Sequence, residues 1–453
     1  GTRTHIARLR AYRISSPAPY PVRTPLRYLY YTKNSCDIMK SVVEKIKGGI
    51  GMNWESRLST IGKELRPSAI RELLSLAKKP GVISFAGGLP DPRIFPGEKF
   101  VEIAQLVKDY ANTALQYGKT EGLDELVDFV AEWCSKRYGF SVSRENVVIV
   151  NGSQQAMDVI GKVFIDYGDH VYIEAPTYVG TLVAFRNCGA RFVGIPMDEN
   201  GMIVDLLEED VKKRIKENLP MPKFVYVIPN FRNPSGRVLS LERRRRLYEI
   251  AEKYDLVIIE DDAYGEIYYD EKPPAHIKSM DTSNRVIYCG SFSKILAPGM
   301  RVGWIIGDKD IIRKFVMAKQ GMDLSTSIFA QFFIAEFCKR GWLEPQIELI
   351  RKHYSGKRNV MENAIDEYFP KGTKYSRPGG GFFYWVQVEG VDTTEIFKIA
   401  VEKYNVAYVV GSAFYPYGER NDEMRINFTY PSEEEIKEGI RRLGAAIKDS
   451  LEG

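Results

Sequence analysis

The sequence predicts an α/β protein with a mostly parallel, seven-stranded sheet in a large domain and a smaller α+β domain. Short apolar runs alternate with amphipathic helical stretches such as Ser240–Tyr254, and this alternation is typical of a parallel sheet. The runs of the large domain are Val147–Val150, His170–Glu174, Phe192–Ile195, Phe224–Ile228, Leu256–Glu260, Val286–Cys289 and Val302–Ile306. From about Gln331 the order differs, which predicts the second domain: a long helix, strands near Gly381–Val388 and Val406–Val409, and a closing helix from Ser432.

The 453 residues are enough for two to three domains. We predict a large domain over residues 96–330 and a small domain over residues 331–453. Residues 51–95 are predicted to contribute to the small domain and the substrate site, with a capped helix start at Ser68 and a short strand at Val82–Ala86.

Residues 1–50 differ from the rest in composition, because they are basic, rich in Ser, Pro and Tyr, and contain no acid before Asp37. Such a segment can be a transit peptide. The preferred interpretation is a disordered or non-native extension, with the folded part of the chain beginning near Met39 or Met52. Four prolines would interrupt the amphipathic helix of a transit peptide: Pro17, Pro19, Pro21 and Pro25.

The bulk composition excludes several classes of function. The net charge of +5 includes seven basic residues before Asp37, and without them the remainder carries −2, so no nucleic-acid footprint remains. No apolar stretch approaches the ~18 residues needed to span a bilayer. The four histidines show no metal-ligand spacing, so no metal is predicted. Five scattered cysteines without a Cys-x-x-Cys pair indicate reduced thiols in a cytoplasmic protein.

The strongest chemical motif is Ser291-Phe-Ser-Lys294, followed by Arg301. A lysine amine condenses with an aldehyde only when it is unprotonated, and burial or a nearby cation lowers its pKa. Ser291 and Arg301 are both able to bind a phosphate dianion. Taken alone, a lysine before a Pro-Gly turn is more often a solvated surface residue.

Three further segments follow predicted strands and carry polar side chains. Asn233, in an Asn-Pro turn, can donate a hydrogen bond to a phenolate, although ordinary turn chemistry explains it equally. Asp261 can pair with a protonated nitrogen in the ring of a ligand, and Tyr264 can share the phenolate oxygen of that ring with Asn233. The alternative is that Asp261 or Asp262 caps a helix. Ser153 and Gln154 begin a helix whose N–H groups can hold an anion, a weak signal alone.

Together these four segments resemble the class I and II aminotransferases, which are pyridoxal 5′-phosphate (PLP) enzymes of fold type I. Their order matches, Asn233 and Asp261 are 28 residues apart, and the resemblance covers roughly residues 55–450. It implies PLP as cofactor, bound covalently to Lys294. It further implies that Asp261 keeps the ring nitrogen protonated, with Tyr264 and Asn233 on the phenolate and Ser153, Gln154, Ser291 and Arg301 around the phosphate.

The resemblance also assigns four residues outside those segments. Tyr178 matches the aromatic residue that stacks on the cofactor, and Tyr117 the tyrosine that reaches the phosphate in a neighbouring subunit, which implies a homodimer with shared active sites. Gly88 resembles the glycine that lines the substrate carboxylate site. Arg425 matches the arginine that binds the α-carboxylate bidentately; taken alone it would be read as a surface salt bridge.

The implied reaction is ping-pong transfer of an amino group between an L-amino acid and a 2-oxo acid, with Lys294 as general base and acid. The segments around Arg71, Gly88 and Arg377 look closest to the 2-aminoadipate, kynurenine and broad-specificity aromatic aminotransferases. Arg71 would meet a distal carboxylate, or else face solvent. We therefore expect 2-oxoglutarate as acceptor and 2-aminoadipate, aromatic or aliphatic amino acids as donors.

Two alternatives remain at this level. One is a PLP-dependent lyase or decarboxylase of the same fold. The other is a non-enzymatic regulator with an aminotransferase-like domain, which would need a helix-turn-helix module upstream of the domain. Only about 50 residues precede it here, with no pair of helices visible.

Overall fold

The computed structural model describes residues 52–65 and 80–452. The chain divides into two units, and the described part of the first, residues 52–59, contains the 3-10 helix Trp54–Arg57. The second unit begins at Thr60 and contains the remaining described elements. The predictions for residues 1–50, for the helix from Ser68 and for Arg71 lie outside the described residues.

The strands form where Val, Ile and aromatic residues cluster between turn residues. In chain order they are β1 (Ile83–Ser84), β2 (Val147–Val150), β3 (His170–Ala175), β4 (Arg191–Asp198), β5 (Gly201–Met202), β6 (Val225–Val227), β7 (Ile258–Asp262), β8 (Val286–Ser291), β9 (Gly303–Ile306), β10 (Lys374–Tyr375), β11 (Phe383–Gln387), β12 (Val406–Ala407), β13 (Val409–Val410) and β14 (Glu423–Asn427).

Most of the helices bury one apolar face, whereas Thr60–Glu64 has no buried residue. The helices are α1 (Thr60–Glu64), α2 (Gly97–Ala104), α3 (Ala111–Ala114), α4 (Asp124–Tyr138), α5 (Gly152–Phe164), α6 (Val179–Asn187), α7 (Val204–Lys216), α8 (Leu241–Tyr254), α9 (Lys309–Asp323), α10 (Ile328–Lys339), α11 (Leu343–Tyr368), α12 (Thr393–Glu402) and α13 (Glu433–Glu452). The 3-10 helices of this unit are Pro92–Ile94, Gln105–Lys108, Arg144–Asn146, Lys278–Met280, Pro298–Met300 and Gly411–Phe414.

The large sheet has the strand order β2-β9-β8-β7-β6-β3-β4-β5. The pairs between β8 and β4 are parallel, whereas β9 and β5 pair antiparallel with their neighbours. All seven predicted strands are therefore confirmed, and the two-residue β5 adds an eighth. It forms because Gly201 adopts a positive φ of 95°, which closes a tight turn back onto β4.

The region that follows the large sheet is α+β, as predicted. Strands β10, β11, β14 and β13 form an antiparallel sheet in that order, and α13 packs along α11. The single long helix expected from Gln331 is in fact two helices, α10 and α11, because the chain turns at Gly341 with a φ of 70°. Strand β1 pairs in parallel with β12, with Ile83 opposite Val406. The division at residues 95 and 330 stays a prediction.

The parallel strands place the predicted polar residues together. Because β3, β6, β7 and β8 run in one direction, their carboxyl ends meet at one edge of the sheet, where ligands of open α/β sheets bind. The turns after these strands carry Tyr178, Asn233, Tyr264 and Lys294, and Asp261 lies at the end of β7 itself.

Two further observations concern the described part of the chain. Its cysteines are free thiols, as predicted for them: Cys134, Cys188, Cys289 and Cys338. Within it, no helix is both long and apolar enough to cross a membrane.

Candidate active site

A cavity of about 830 Å³ opens at the carboxyl edge of the large sheet. Eight of the predicted site residues line it: Gly88, Ser153, Tyr178, Asn233, Asp261, Tyr264, Lys294 and Arg425. Four others lie elsewhere. Gln154 and Arg301 line a neighbouring surface cavity, Ser291 is buried beneath the site, and Tyr117 is 83% exposed. The sheet therefore gathers most of the predicted residues around one space.

Lys294 lies on the turn after β8 and is partly buried. Its Nζ donates a hydrogen bond of 2.8 Å to the carbonyl oxygen of Gly88 and lies 5.2 Å from the centroid of the Phe382 ring. Burial, followed by the charges of Arg425 and Arg301, lowers the pKa of Lys294 to about 8. A useful fraction of this amine is therefore neutral, and nucleophilic, near neutral pH.

Asp261 is buried near the end of β7 with only one of its carboxylate oxygens satisfied. Oδ2 accepts a hydrogen bond of 2.7 Å from the hydroxyl of Tyr226, which in turn accepts one of 2.9 Å from Thr181. Oδ1 is buried without a hydrogen-bond partner among the described residues. Burial raises the pKa of Asp261 to about 7, although the Tyr226 hydrogen bond acts in the opposite direction. Such an oxygen is a ready acceptor for a ligand N–H.

Asp262 faces the other side of β7, because successive strand residues point to opposite faces. Its Oδ1 accepts hydrogen bonds from the Asn230 side chain and from the backbone N–H of Gly265, and its Oδ2 accepts one from the Tyr288 hydroxyl. Capping of the turn after β7, which the sequence left open between the two aspartates, is therefore the role of Asp262, and Asp261 is free to face the cavity.

Arg425 extends from β14 into the cavity and is buried. Its Nη1 donates to Asn233 Oδ1 at 2.8 Å and its Nη2 donates to the carbonyl oxygen of Ala86 at 2.7 Å. Its Nε is buried and has no hydrogen-bond partner within the described ranges. The guanidinium carbon lies 4.2 Å from the centroid of the Phe383 ring, and burial lowers the pKa of Arg425 to about 10. Arg425 is thus a buried cation available to an anion rather than a surface residue.

Two tyrosines and Asn233 complete the inner wall of the cavity. Tyr264 is buried and packs edge-on against Phe382 and Phe383, and burial raises its pKa. Tyr178 immediately precedes α6, and burial raises its pKa as well. Because Asn233 Oδ1 already accepts from Arg425, the amide NH₂ of Asn233 is the group left to donate to a ligand.

The turn at the start of α5, residues 151–154, can bind an anion with its backbone N–H groups and is called the anion turn. Gly152 begins the helix with a φ of 72°, and a Cβ at this position would lie 2.6 Å from Arg301 Nη2, so the close approach requires glycine. Arg301 donates to the Asn151 carbonyl oxygen at 3.1 Å and to Ser293 Oγ at 3.4 Å. Ser291 Oγ is 2.9 Å from Ser293 Oγ. Arg301 therefore joins the start of α5, whose first N–H groups can bind an anion, to the hydroxyl pair of Ser291 and Ser293.

The sequence analysis missed two groups that the structure brings to this site. Tyr226 lies within β6 and Ser293 lies directly before Lys294. A tyrosine in a fully buried strand was a usable signal for Tyr226, because a buried hydroxyl needs a hydrogen-bond partner. Nothing in the sequence identified that partner as Asp261.

The sequence matches the family "Aminotransferase class I and II" over residues 95–443. The chain belongs to this family of aminotransferases. A relative from Thermococcus litoralis, aromatic-amino-acid aminotransferase 1, is 43% identical over 92% of this aminotransferase and 99% of the relative.

Two solved structures are also similar to the aminotransferase. One is a kynurenine aminotransferase of Pyrococcus horikoshii in complex with PMP, KYN and KYA; it is 43% identical, with a TM-score of 0.85 over 88% of this chain and 99% of that one. The other is an α-aminoadipate aminotransferase of Thermus thermophilus complexed with N-(5′-phosphopyridoxyl)-L-leucine; it is 39% identical, with a TM-score of 0.81 over 88% and 100%.

The aminotransferase is PLP-dependent. Three features of its cavity fit the cofactor. The amine of Lys294 is partly neutral, Asp261 Oδ1 has no hydrogen-bond partner among the described residues, and the anion turn forms around Gly152. Within the described ranges, no group of three or more His, Cys, Asp or Glu side chains could hold a metal ion.

Proposed function

We propose that the enzyme transfers the amino group of an aromatic, aliphatic or 2-aminoadipate L-amino acid to 2-oxoglutarate by a ping-pong mechanism. The names of the similar proteins support the aromatic and 2-aminoadipate donors, and the phosphopyridoxyl-leucine bound in one solved structure supports an aliphatic donor. The observation that carries the proposal is that Lys294, the free Oδ1 of Asp261 and the free Nε of Arg425 line one cavity.

The cofactor would be held by residues on every side of the cavity. PLP supplies an aldehyde that condenses with amines and a ring that withdraws electrons from the substrate Cα. Lys294 would bind the aldehyde carbon, Asp261 Oδ1 the ring nitrogen, and Tyr264 with the Asn233 amide the phenolate oxygen. Tyr178 would stack on the ring. The phosphate would be bound by Ser153, Gln154, Ser291, Arg301 and, from a neighbouring subunit, Tyr117.

Arg425 and Gly88 would bind the substrate α-carboxylate. Two donors of Arg425 are already directed at Ala86 and Asn233, which hold the guanidinium in one orientation. Its remaining donors, together with the positive charge in a buried setting, favour a carboxylate. Because Asn233 accepts from Arg425 with its oxygen and its NH₂ is on the side of the Tyr264 hydroxyl, Asn233 would couple the carboxylate subsite to the phenolate subsite.

Lys294 would take the proton from the substrate Cα and hold it at Nζ. Its lowered pKa supports this role, because a base with a pKa near the working pH is efficient. Phe382 beside the amine and Tyr264 beside Phe382 would keep water away from the transferred proton.

The donor side chain would be selected by the outer part of the cavity. Among the described lining residues the cations are Lys294 and Arg425, and most of the other lining groups are apolar or aromatic, such as Val82, Leu89 and Tyr430. This composition supports aromatic and aliphatic donors. A distal carboxylate needs another cation, and we propose Arg71 for that role. In Arg71→Ala, the half-reaction with 2-aminoadipate alone should slow and the half-reaction with leucine alone should not; equal losses would exclude the role.

A homodimer with shared active sites is the proposed assembly. Tyr117 is 83% exposed and Leu115 65% exposed, and both line a surface hollow beside Phe329. Large apolar side chains grouped on a surface favour a protein partner. Light scattering on the eluted peak of the enzyme should give twice the chain mass of 51.6 kDa. A monomer that retains full activity would contradict the shared site.

The reaction is tested in its two halves. With an amino acid alone, the enzyme should release one 2-oxo acid per active site and stop; adding 2-oxoglutarate should restart it. Initial rates at several 2-oxoglutarate concentrations should give parallel double-reciprocal lines. A panel of donors with 2-oxoglutarate then orders the substrates. Continued release of product without a second oxo acid would indicate a lyase instead.

Lys294→Ala provides the matched test of the catalytic amine. We expect it to lower kcat about 10²–10⁴-fold, the usual contribution of a general base. Lys162→Ala is the control, because that lysine forms a surface pair with Asp158 outside the cavity. Full activity in Lys294→Ala would exclude the proposed mechanism.

A further inference from the structure

A buried ion pair lies next to the anion turn, on the last turn of α9. Lys319 is fully buried, and its Nζ donates to Asp323 Oδ1 at 2.7 Å. Burial lowers the pKa of Lys319, and Asp323 opposes this shift. Asp323 is partly exposed, with 21% of its side chain accessible. Burying a lysine is costly, so a pair at this depth calls for an explanation beyond helix stability.

The second oxygen of Asp323 is bound by the anion turn itself. Oδ2 accepts hydrogen bonds of 2.7 Å from both the Asn151 and the Gln155 side-chain amides. Gln155 Oε1 in turn accepts the backbone N–H of Asn151 at 2.7 Å. The carboxylate and the two amides therefore form a closed network across the residues on either side of Gly152, Ser153 and Gln154.

This network continues to the guanidinium of Arg301. Arg301 Nη2 donates to the carbonyl oxygen of Asn151, and the missing Cβ of Gly152 makes room for the same nitrogen. Because Asn151 is held through both its side chain and its N–H, the direction of its carbonyl is determined by Asp323 and Gln155. The position of Arg301 and the orientation of the first N–H groups of α5 thus depend on the same hydrogen-bond network, that of Asp323 with Asn151 and Gln155.

We propose that Asp323, neutralised by Lys319 and acting through Asn151 and Gln155, is a positioning residue that sets the affinity of the enzyme for the phosphate of its cofactor. The inference rests on the proposed binding of the phosphate at this turn. It adds residues that do not touch the phosphate but hold the groups that do. A well-oriented outer layer commonly determines how strongly an inner layer binds.

The test compares two ligands that differ only in the phosphate, PLP and pyridoxal, binding to the cofactor-free full-length enzyme. Both can condense with Lys294, so the ratio of their dissociation constants isolates the phosphate contribution. Two variants remove the support: Gln155→Met, which leaves the ion pair intact, and the double variant Lys319→Met with Asp323→Leu, which leaves neither an unpaired buried charge nor an acceptor for the two amides. Asp310→Asn, at the other end of α9 and with its side chain 74% exposed, is the matched control.

We expect the preference for PLP over pyridoxal to fall about tenfold in both variants, the effect of weakening one or two hydrogen bonds to a charged group. Pyridoxal affinity should stay within about twofold, and Asp310→Asn should match the wild type. A purely structural role would weaken both ligands equally, and this result, or no change in the ratio, would overturn the proposal.

Arg301→Gln separates failure of the inference from failure of the site. If Arg301→Gln lowers the PLP preference and the support variants do not, the phosphate binds at this turn but Asp323 does not position it. If Arg301→Gln also leaves the ratio unchanged, the phosphate lies elsewhere, and both the proposed site and the inference are wrong.

Discussion

The two faces of β7 carry adjacent carboxylates in opposite situations. Asp262 accepts three hydrogen bonds and lies 3.6 Å from a nitrogen of His276. Asp261 accepts one, from Tyr226, and its other oxygen has no partner within the described residues. Both are buried, and burial raises the pKa of both. Of two aspartates on one strand, the one on the far face therefore has hydrogen bonds to both carboxylate oxygens, and the one on the cavity face has a hydrogen bond to only one oxygen within the described residues.

The comparison shows how a fold separates stability from function. A buried polar atom without a partner destabilises a fold, and a ligand that supplies the partner removes this cost. Asp261 and Arg425 both carry one, and both line the cavity. Asp262 contributes to the structure on the far side of the strand.

The largest expected effect is on catalysis at position 261. Asp261→Asn cannot hold a proton on the ring nitrogen, so we expect kcat to fall about 10²–10³-fold, as when one preorganised electrostatic group is lost. Asp262→Asn should change kcat by less than about threefold. Steady-state kinetics with one donor at saturating PLP measure both, and equal losses at the two positions would remove the distinction between the faces.

The next effect is on the pH dependence of stability without cofactor. The pKa of Asp261 is raised from 3.8 to about 7, so its protonated form favours the fold at low pH and this contribution is lost as pH rises through about 7. Asp261→Asn has no such titration. The unfolding free energy of the wild type relative to this variant should fall by on the order of 4 kcal/mol between pH 4 and pH 8. Urea unfolding of cofactor-free protein checks it; a constant difference would refute the raised pKa.

A smaller effect is expected on stability at position 262. Asp262→Ala leaves the Asn230 amide, the Gly265 N–H and the Tyr288 hydroxyl without their acceptor, so the unfolding free energy should fall by about 3 kcal/mol. Glu249→Ala is the control, because the Glu249 side chain lies on α8 and is 64% exposed, so its removal should change stability by less than about 0.5 kcal/mol. Chemical denaturation measures both. Equal changes would mean that the network adds nothing.

The smallest effect concerns the one hydrogen bond to Asp261. Tyr226→Phe removes it and should raise the pKa of Asp261 further, so kcat should fall about tenfold and the acidic limb of the pH–rate profile should move to higher pH. Tyr172→Phe removes a comparable buried hydroxyl, bound to Asp210, and should leave the profile unchanged. An unshifted profile in Tyr226→Phe would show that this hydroxyl does not act on Asp261.

Much of this site could be predicted because it lies at strand ends. Apolar runs identified the strands, parallel pairing brings their carboxyl ends together, and the polar residues directly after them therefore meet. That reasoning gathered Asn233, Asp261 and Lys294 correctly around one cavity. The role of Arg425 could be predicted only from the family resemblance, because Arg425 lies on β14, which belongs to a different sheet.

Other features depend on packing that the sequence does not display. Successive residues of a strand point to opposite faces of the sheet, and the sequence does not show which of Asp261 and Asp262 points to the cavity face. The bond from Tyr226 joins neighbouring strands whose register is a tertiary property. Asp323 reaches the anion turn from a helix about 170 residues further along the chain. Such pairs are distant in sequence, so no local pattern marks them.

The pairing of β1 with β12 has a consequence for how the protein is made. The strand of Ile83 pairs with that of Val406, which lies more than 300 residues later in the sequence. Contacts between residues so far apart in the chain form slowly during folding. The carbonyls of Ala86 and Gly88 follow directly on β1 and bind Arg425 and Lys294. During synthesis from the N-terminus, the sheet edge that holds Lys294 can therefore form first, while the carboxylate pocket closes only after Arg425 has emerged from the ribosome.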